Sequence, residues 1–172
     1  MTVFFTADTH FGSERVIHWS LRPFSTAAEM DSRITANWNR LVSDQDTVYH
    51  LGDFGELERL PELNGRIIFL PGNADSADMV DSMAAFCEII KPNTVITLEG
   101  VNFQLVHEPD EAQPSGNFYL FGHIHKLQMV KRNGLNVGVD CHNFAPIPLE
   151  TVLFYRDAIM NAYDENVFVD SI

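Results

Sequence analysis

Asp8 and His10 stand one residue apart at the end of the apolar run VFFTA, and the pattern recurs along the chain. Asp53 follows YHLG, Asn73 follows FLPG, His107 follows FQLV, and His123 and His125 follow YLFG. Carboxylate oxygen, amide oxygen and imidazole nitrogen suit divalent transition ions, and no thiolate accompanies them to bias the set toward a closed zinc site. Each position also has an ordinary use. GD and GN are common turn dipeptides, in which Gly tolerates positive φ and Asp or Asn bonds its own backbone. Asp8 can cap a turn, His10 can be a solvated loop histidine, and His107 can be a satisfied half-buried one. GHIH is more telling, because residues i and i+2 of an extended chain point the same way and can address neighbouring metal positions. In open α/β sheets ligands collect outside the carboxyl ends of strands, and here five strand ends send such side chains to one edge.

The elements that must hold these residues are short. Runs rich in Val, Ile and Phe, each ended by Gly, Pro, Asp, Asn or His, read as strands: TVFFTA, DTVYHLG, RIIFLPG, EIIK, TVITLEG, VNFQLVH, FYLFGH and LNVGVD. Several are apolar at successive positions and so buried on both faces. Helical spacing of Met30, Ile34, Trp38 and Leu41 or Val42 predicts a helix over Ser25–Val42, with Ser25 as its N-cap. A second is expected over Ser76–Phe86, opened by Asp75 or Ser76, with Met79 and Met83 toward the core. A third is expected over Leu149–Ala162, although TVLFY within it also fits a strand. Strands alternate with helices in the first half and follow one another as hairpins in the second, which predicts mixed α/β with helices outside. Glu108 to Asn117 is one long turn-rich, solvated loop, and the tail after Tyr163 is expected to fray. Trp19 and Trp38 read as core anchors.

Composition narrows the function. The 172 residues, 45% hydrophobic, suffice for one sizeable core and one domain over 1–172. A formal charge of −13 argues against tight non-specific binding to nucleic acid or to anionic membranes. Cys87 and Cys141 have no CxxC spacing and fit reduced thiols in a cytoplasmic protein. No basic leader precedes the first apolar stretch, and no segment approaches a membrane span.

In their order along the chain, DTH, GD, GN, a later lone His and GHIH resemble the signature of the calcineurin-like metallophosphoesterase family, over Asp8 to His125. DTHFG and NVGVDCHNFAPIPLE further resemble small bacterial and phage members. That resemblance implies an α/β/β/α sandwich with mixed sheets and a dinuclear centre. One ion would be held by Asp8, His10, Asp53 and His125, and the other by Asp53, Asn73, His107 and His123, with Asp53 bridging. Mn²⁺ is favoured, with Fe²⁺, Ni²⁺ or Zn²⁺ as alternatives. Two such ions about 3.5–4 Å apart activate a shared water for in-line attack on phosphorus. Two carboxylates against four positive charges leave the centre cationic, so an acidic protein can take a small phosphate-ester substrate.

One departure from the family stands out. Where the family often has Gly-Asn-His, with the His as general acid, this chain reads GNAD. Ala74 has no proton to give, and general acid catalysis is typically worth about 10²–10⁴-fold, so poor leaving groups suffer most. This favours diester over monoester hydrolysis. His18, His50 and His142 are candidate replacements, with His142 preferred for its loop position as a catalytic and substrate-binding residue and His50 expected to be packed in its strand. Arg22 is a candidate phosphate contact through its guanidinium, or else a surface ion pair. The rival functions are a monoester or nucleotide phosphatase and a non-catalytic scaffold of the same fold. Oligomeric state is left open.

Overall fold

The computed structural model describes residues 1–162; the tail after Tyr163, expected to fray, lies outside the described residues. Two five-stranded sheets form the core. The first contains β1 (Val3–Thr6), β2 (Thr47–His50), β3 (Arg66–Phe69), β4 (Glu88–Ile89) and β10 (Ile147–Pro148), in the order β10-β1-β2-β3-β4. Strands β1 to β4 are parallel and β10 is antiparallel to β1. The second contains β5 (Thr94–Leu98), β6 (Val101–Leu105), β7 (Phe118–Phe121), β8 (Val130–Lys131) and β9 (Gly134–Asn136), in the order β5-β6-β7-β9-β8. This mixed α/β architecture, two mixed sheets with helices around them, is the expected one.

Alternation along the strands explains why so many read as apolar throughout. In the first sheet Phe4, Val48, Ile67 and Phe69 face one way, into a cluster with Val16 and Ile17 of α1 (Glu14–Trp19), Met30, Ile34 and Trp38 of α2 (Ala27–Leu41), and Met83 of α3 (Ala77–Met83). Phe5, Leu51 and Leu70 face the other way and meet Phe103, Leu105, Leu120 and Leu135 of the second sheet. A strand buried on both faces has no polar side to display. Helix α4 (Leu149–Ala162) packs against β1, β9 and β10 and sends Val152 and Ile159 into this second cluster. Ile34 and Trp38 are fully buried, so Ile34→Ala falls in the class of core truncations that cost about 2–5 kcal/mol.

Several element boundaries differ from expectation for local reasons. Helix α2 starts at Ala27, because Thr26 rather than Ser25 accepts from Glu29 N; Ser25 N instead donates to the Glu29 carboxylate. Helix α3 ends at Met83, and Ser76 rather than Asp75 caps it. The Leu149–Ala162 segment is a helix, not a strand. Helix α1, capped by Ser13, and the short strands β8 and β10 were not foreseen. Strands β5 and β6 form an expected hairpin and β8 and β9 an unexpected one, but β6 and β7 are parallel, because the Glu108–Asn117 loop returns the chain before β7 begins. No helix among the described residues is long and apolar enough to cross a membrane.

Candidate metal centre

The parallel strands of the two sheets deliver their carboxyl-end loops to one place. Loop backbones lock together: Asp8 N donates to Gly52 O at 2.9 Å, His10 N to Asp53 O at 3.0 Å, and Gly122 N to His107 O at 3.0 Å. Five of the seven candidate ligands have left-handed backbone, namely Asp8 (φ 59°), His10 (49°), Asp53 (59°), His123 (68°) and His125 (49°). Non-Gly residues held in sparsely populated backbone regions cost of order 1–3 kcal/mol each and persist where surrounding structure over-determines them. His123 and His125 therefore do not point the same way from an extended chain as the GHIH spacing suggested; each is turned individually. The flanking glycines are required by close approach. A Cβ at Gly138 or Gly122 would fall 2.5 or 2.7 Å from Asp8 Oδ2, and one at Gly72 would strike the Asp53 carboxylate.

Two groupings of ligand atoms come within 4.8 Å of one another: Asp8, His10 and His125, and Asp8, Asp53 and His107. Asp53 Oδ2 lies 3.4 Å from His10 Nε2 and 3.4 Å from His107 Nε2, while its Oδ1 accepts from Ala74 N at 2.8 Å. One carboxylate oxygen is thus tied to backbone and the other faces both groups. Asn73 Oδ1 is 3.0 Å from His107 Nε2 and 2.8 Å from His123 Nδ1. The sequence-predicted ligand residues are therefore brought together.

The donor set fits a cation by three independent signs. His10 Nε2 is buried with no hydrogen-bond partner among the described residues, a costly arrangement for a polar atom unless a ligand meets it. His107 Nδ1 donates to Leu51 O at 2.7 Å and His125 Nδ1 to Asp140 Oδ2 at 2.8 Å, so each ring turns its Nε2 inward, the nitrogen a metal would take. Burial works to lower His107, but the Asp53 hydrogen bond and the charges of Asp8 and Asp53 hold it at about 9, so an ion there would displace a proton. Burial raises the Asp8 carboxyl to about 6, against the opposing pull of His125, His107 and the His123 N–H, so the positive charge present does not offset the burial of that group. Burial also lowers His10 to about 4, against the pull of Asp53. Burial works to raise Asp53, but the His107 hydrogen bond and charge and the Ala74 N–H hold it at about 2.

Arg22 is not at the opening. Its side chain is fully buried; Nε and Nη2 clasp Asp140 at 2.9 and 2.7 Å, Nη1 donates to Thr9 O, and Nη2 to Asp8 O at 2.6 Å. The expected phosphate contact is replaced by an internal one: Arg22 braces the Asp8 loop from behind and fixes Asp140, which fixes His125. His142 also points elsewhere, its Nε2 donating to Asn136 O at 2.7 Å and its ring edge-on to Tyr155, with burial lowering its pKa. It faces α4, not the candidate ligands. His50 is packed as expected, fully buried against Phe54 and Phe69, with burial lowering it to about 3. Cys141 Sγ contacts His125 O at 3.3 Å, and burial raises its thiol to about 12.

Three further residues matter that spacing did not single out. Asp140 orients His125. Asp75, the last residue of GNAD, accepts from Gly72 N and Asp53 N, both at 2.7 Å, and from Phe54 N at 3.0 Å, clamping the GD and GN loops into one unit. Trp19, expected in the core, is 55% exposed and stands edge-on to His125 with ring centroids 4.5 Å apart.

The fold agrees with the comparisons. Residues 1–143 match the calcineurin-like phosphoesterase superfamily domain. The chain belongs to that superfamily, whose members are in general hydrolytic phosphoesterases. It is 32% identical to the uncharacterized protein MJ1445 of Methanocaldococcus jannaschii over 168 residues, 88% of this chain and 89% of that one. It also superimposes on the crystal structure of AQ665, a protein of unknown function from Aquifex aeolicus, with a TM-score of 0.72 and 23% identity, covering 90% of this chain and 98% of that one.

Proposed function

We propose that this chain, acting as one domain, is a dinuclear divalent-metal-dependent phosphodiesterase for small or nucleotide esters. The observation that carries the reading is Asp53 Oδ2, 3.4 Å from His10 Nε2 on one side and from His107 Nε2 on the other. Asp8, His10, Asp53 and His125 would hold one ion, and Asp53, Asn73, His107 and His123 the other; the oxygen and imidazole set favours Mn²⁺, with Fe²⁺, Ni²⁺ and Zn²⁺ able to compete. When bound, such a pair activates water and neutralises phosphoryl oxygens.

The chain's own residues then account for selectivity. Asp53 keeps its position because Ala74 N and the Asp75 clamp fix both its carboxylate and its backbone. His125 keeps its orientation through Asp140 and Arg22. Ala74 is exposed beside Asn73 and offers no proton, so the oxygen of the departing group must leave largely unassisted; esters of acidic alcohols and phenols suffer least. With a charge of −13, attraction of an anionic ester is confined to the metal-loaded centre, and the protein is expected to act on small cytoplasmic substrates.

The test is metal analysis of purified protein coupled to a panel of mono-, di- and cyclic nucleotide esters. Stripped protein should be inactive, take up two ions per chain and regain diesterase activity with Mn²⁺. One ion at saturation would refute the dinuclear reading, and a fully loaded but inert protein would make the fold a scaffold.

A further inference from the structure

Trp19 ends α1 with its indole 55% exposed, whereas Trp38 is wholly buried. It is also the common wall of two clefts. One is a cavity of about 190 Å³ whose outer rim is Leu21 and Leu127 and whose inner wall is His123 and His125. The other, about 360 Å³, runs past His10, Ser13, Arg15 and Ala74. The two clefts thus begin at different candidate ligands and share the indole between them.

The smaller cleft has an apolar rim that burial does not explain. Leu21 is 72% and Leu127 87% exposed, beside a charged centre. The rim is also built at a cost. Leu21 has left-handed backbone (φ 52°), a conformation a branched side chain rarely adopts, and Lys126 Nζ holds it there by donating to its carbonyl at 3.1 Å. Pockets that enclose drug-sized ligands run to about 300–1,000 Å³, so this one is sized for a single ring system.

We propose that the pocket between Trp19, Leu21 and Leu127 binds an aromatic substituent, of aryl or nucleobase class, on the retained arm of a phosphodiester whose phosphorus sits at the candidate centre. The departing arm of that diester lies along Ser13, Arg15 and Ala74 on the far side of the indole, where a nitrophenyl leaving group sits whichever retained arm it accompanies. This rests on the phosphodiesterase reading above and sharpens it: a monoester has one substituent to place, whereas two clefts meeting at one centre match the two arms of a diester.

The experiment compares two diesters with the same leaving group, thymidine nitrophenyl phosphate and methyl nitrophenyl phosphate, on Mn²⁺-loaded protein. Base–aromatic stacking is sequence-tolerant and strong enough that the wild-type kcat/KM ratio of thymidine to methyl ester should be about tenfold or more. Trp19→Ala should bring the ratio below about twofold, and Leu127→Ser, at a position too exposed to threaten folding, should cut it severalfold. A readout without turnover runs in parallel: calorimetric binding of thymidine monophosphate against methyl phosphate should show the same preference and the same loss. A preference near unity in wild type, or one unmoved by both variants, overturns the subsite while leaving the activity standing. If no ester turns over yet thymidine monophosphate is preferred and Leu127→Ser removes that preference, the subsite stands and the catalytic reading fails. If Leu127→Ser splits a wild-type dimer without changing the preference, the surface serves self-association and the proposal is overturned.

Discussion

His123 and His125 sit two residues apart in the same GHIH stretch, yet their surroundings have little in common. The His125 side chain is 5% exposed; its Nδ1 donates to Asp140, which Arg22 grips through two nitrogens and Ser20 contacts at 3.2 Å. The His123 side chain is 35% exposed, and its neighbours are the amide oxygen of exposed Asn73 and, at 3.9 Å, the half-exposed carboxylate of Glu108. One half of the candidate centre is therefore braced by a buried ion pair, and the other has two of its residues, Asn73 and His123, open to water, with only His107 buried and held by Leu51 O beside Asp53. A braced ligand loses little freedom when it binds an ion, while an open one must be ordered at that moment. The two halves should differ in affinity and in what a mutation costs, and Asp53 should be the residue that links them.

The largest expected effect tests that link. Asp53→Asn removes the charge that both halves share in the proposed assignment, so activity should fall about 10³-fold or more, well beyond the 10–100-fold that loss of an outer partner of a metal ligand typically costs. Metal content measured on the same preparation should fall at both positions. A variant that keeps one tightly held ion would show that Asp53 belongs to one half only.

Asp140→Asn probes the braced half without touching a candidate ligand. It should weaken the tighter ion by about 10–100-fold. It also leaves the Arg22 guanidinium, fully buried, without its counter-charge; breaking such a pair typically costs about 3–5 kcal/mol, so Tm should drop visibly. Arg22→Met would strand Asp140 instead, and by the same argument should be comparably destabilised. Metal titration and thermal unfolding separate the two consequences. A Tm loss with unchanged metal affinity would mean that Asp140 supports the fold and not the orientation of His125.

Asn73→Ala, in the open half, should cost only about tenfold, since a water can take the place of one exposed amide oxygen. Measured beside Asp140→Asn, it decides whether the asymmetry is functional: if losing Asn73 costs more than losing Asp140, exposure is a poor guide to which half matters.

The same asymmetry explains what the sequence could and could not reveal. Asp8, His10, Asp53, Asn73, His107, His123 and His125 were legible because strand ends announce themselves, an apolar run stopping at a ligand type. Strand positions in the first sheet were legible for the same reason, as continuous Val, Ile and Phe. The bracing was not. Asp140 is one of 24 acidic residues, and nothing in its spacing separates it from the rest; loop position favours His142 two positions on, whose ring is spent on Asn136 O. The guanidinium of Arg22 suggests a phosphate contact, but only the fold shows that it faces Asp140 and the Asp8 carbonyl. Asp75, within GNAD, reads as one of two candidate helix caps, and Ser76 takes that role. Trp19 read as core because residue type alone does not say which way a short helix turns its last side chain.

The smallest effect concerns Ala74, at the open half's edge, where the cleft of His10, Arg15 and Trp19 begins. An imidazole placed there has room, since Ala74 is exposed and its backbone N–H remains free to hold Asp53 Oδ1. For nitrophenyl diesters Ala74→His should change kcat/KM by no more than about twofold, because a stable phenolate departs without a proton. For alkyl diesters a gain is expected, short of the full 10²–10⁴-fold of a well-placed acid, because nothing nearby fixes the new ring's orientation as Asp140 fixes His125. The measurement is the slope of log kcat/KM against leaving-group pKa in both proteins at matched metal content. Wild type should be steep and Ala74→His shallower. A wild-type slope already flat, with chemistry rate-limiting, would show that a proton reaches the leaving oxygen by another route. The open half would then be better equipped than its exposure suggests.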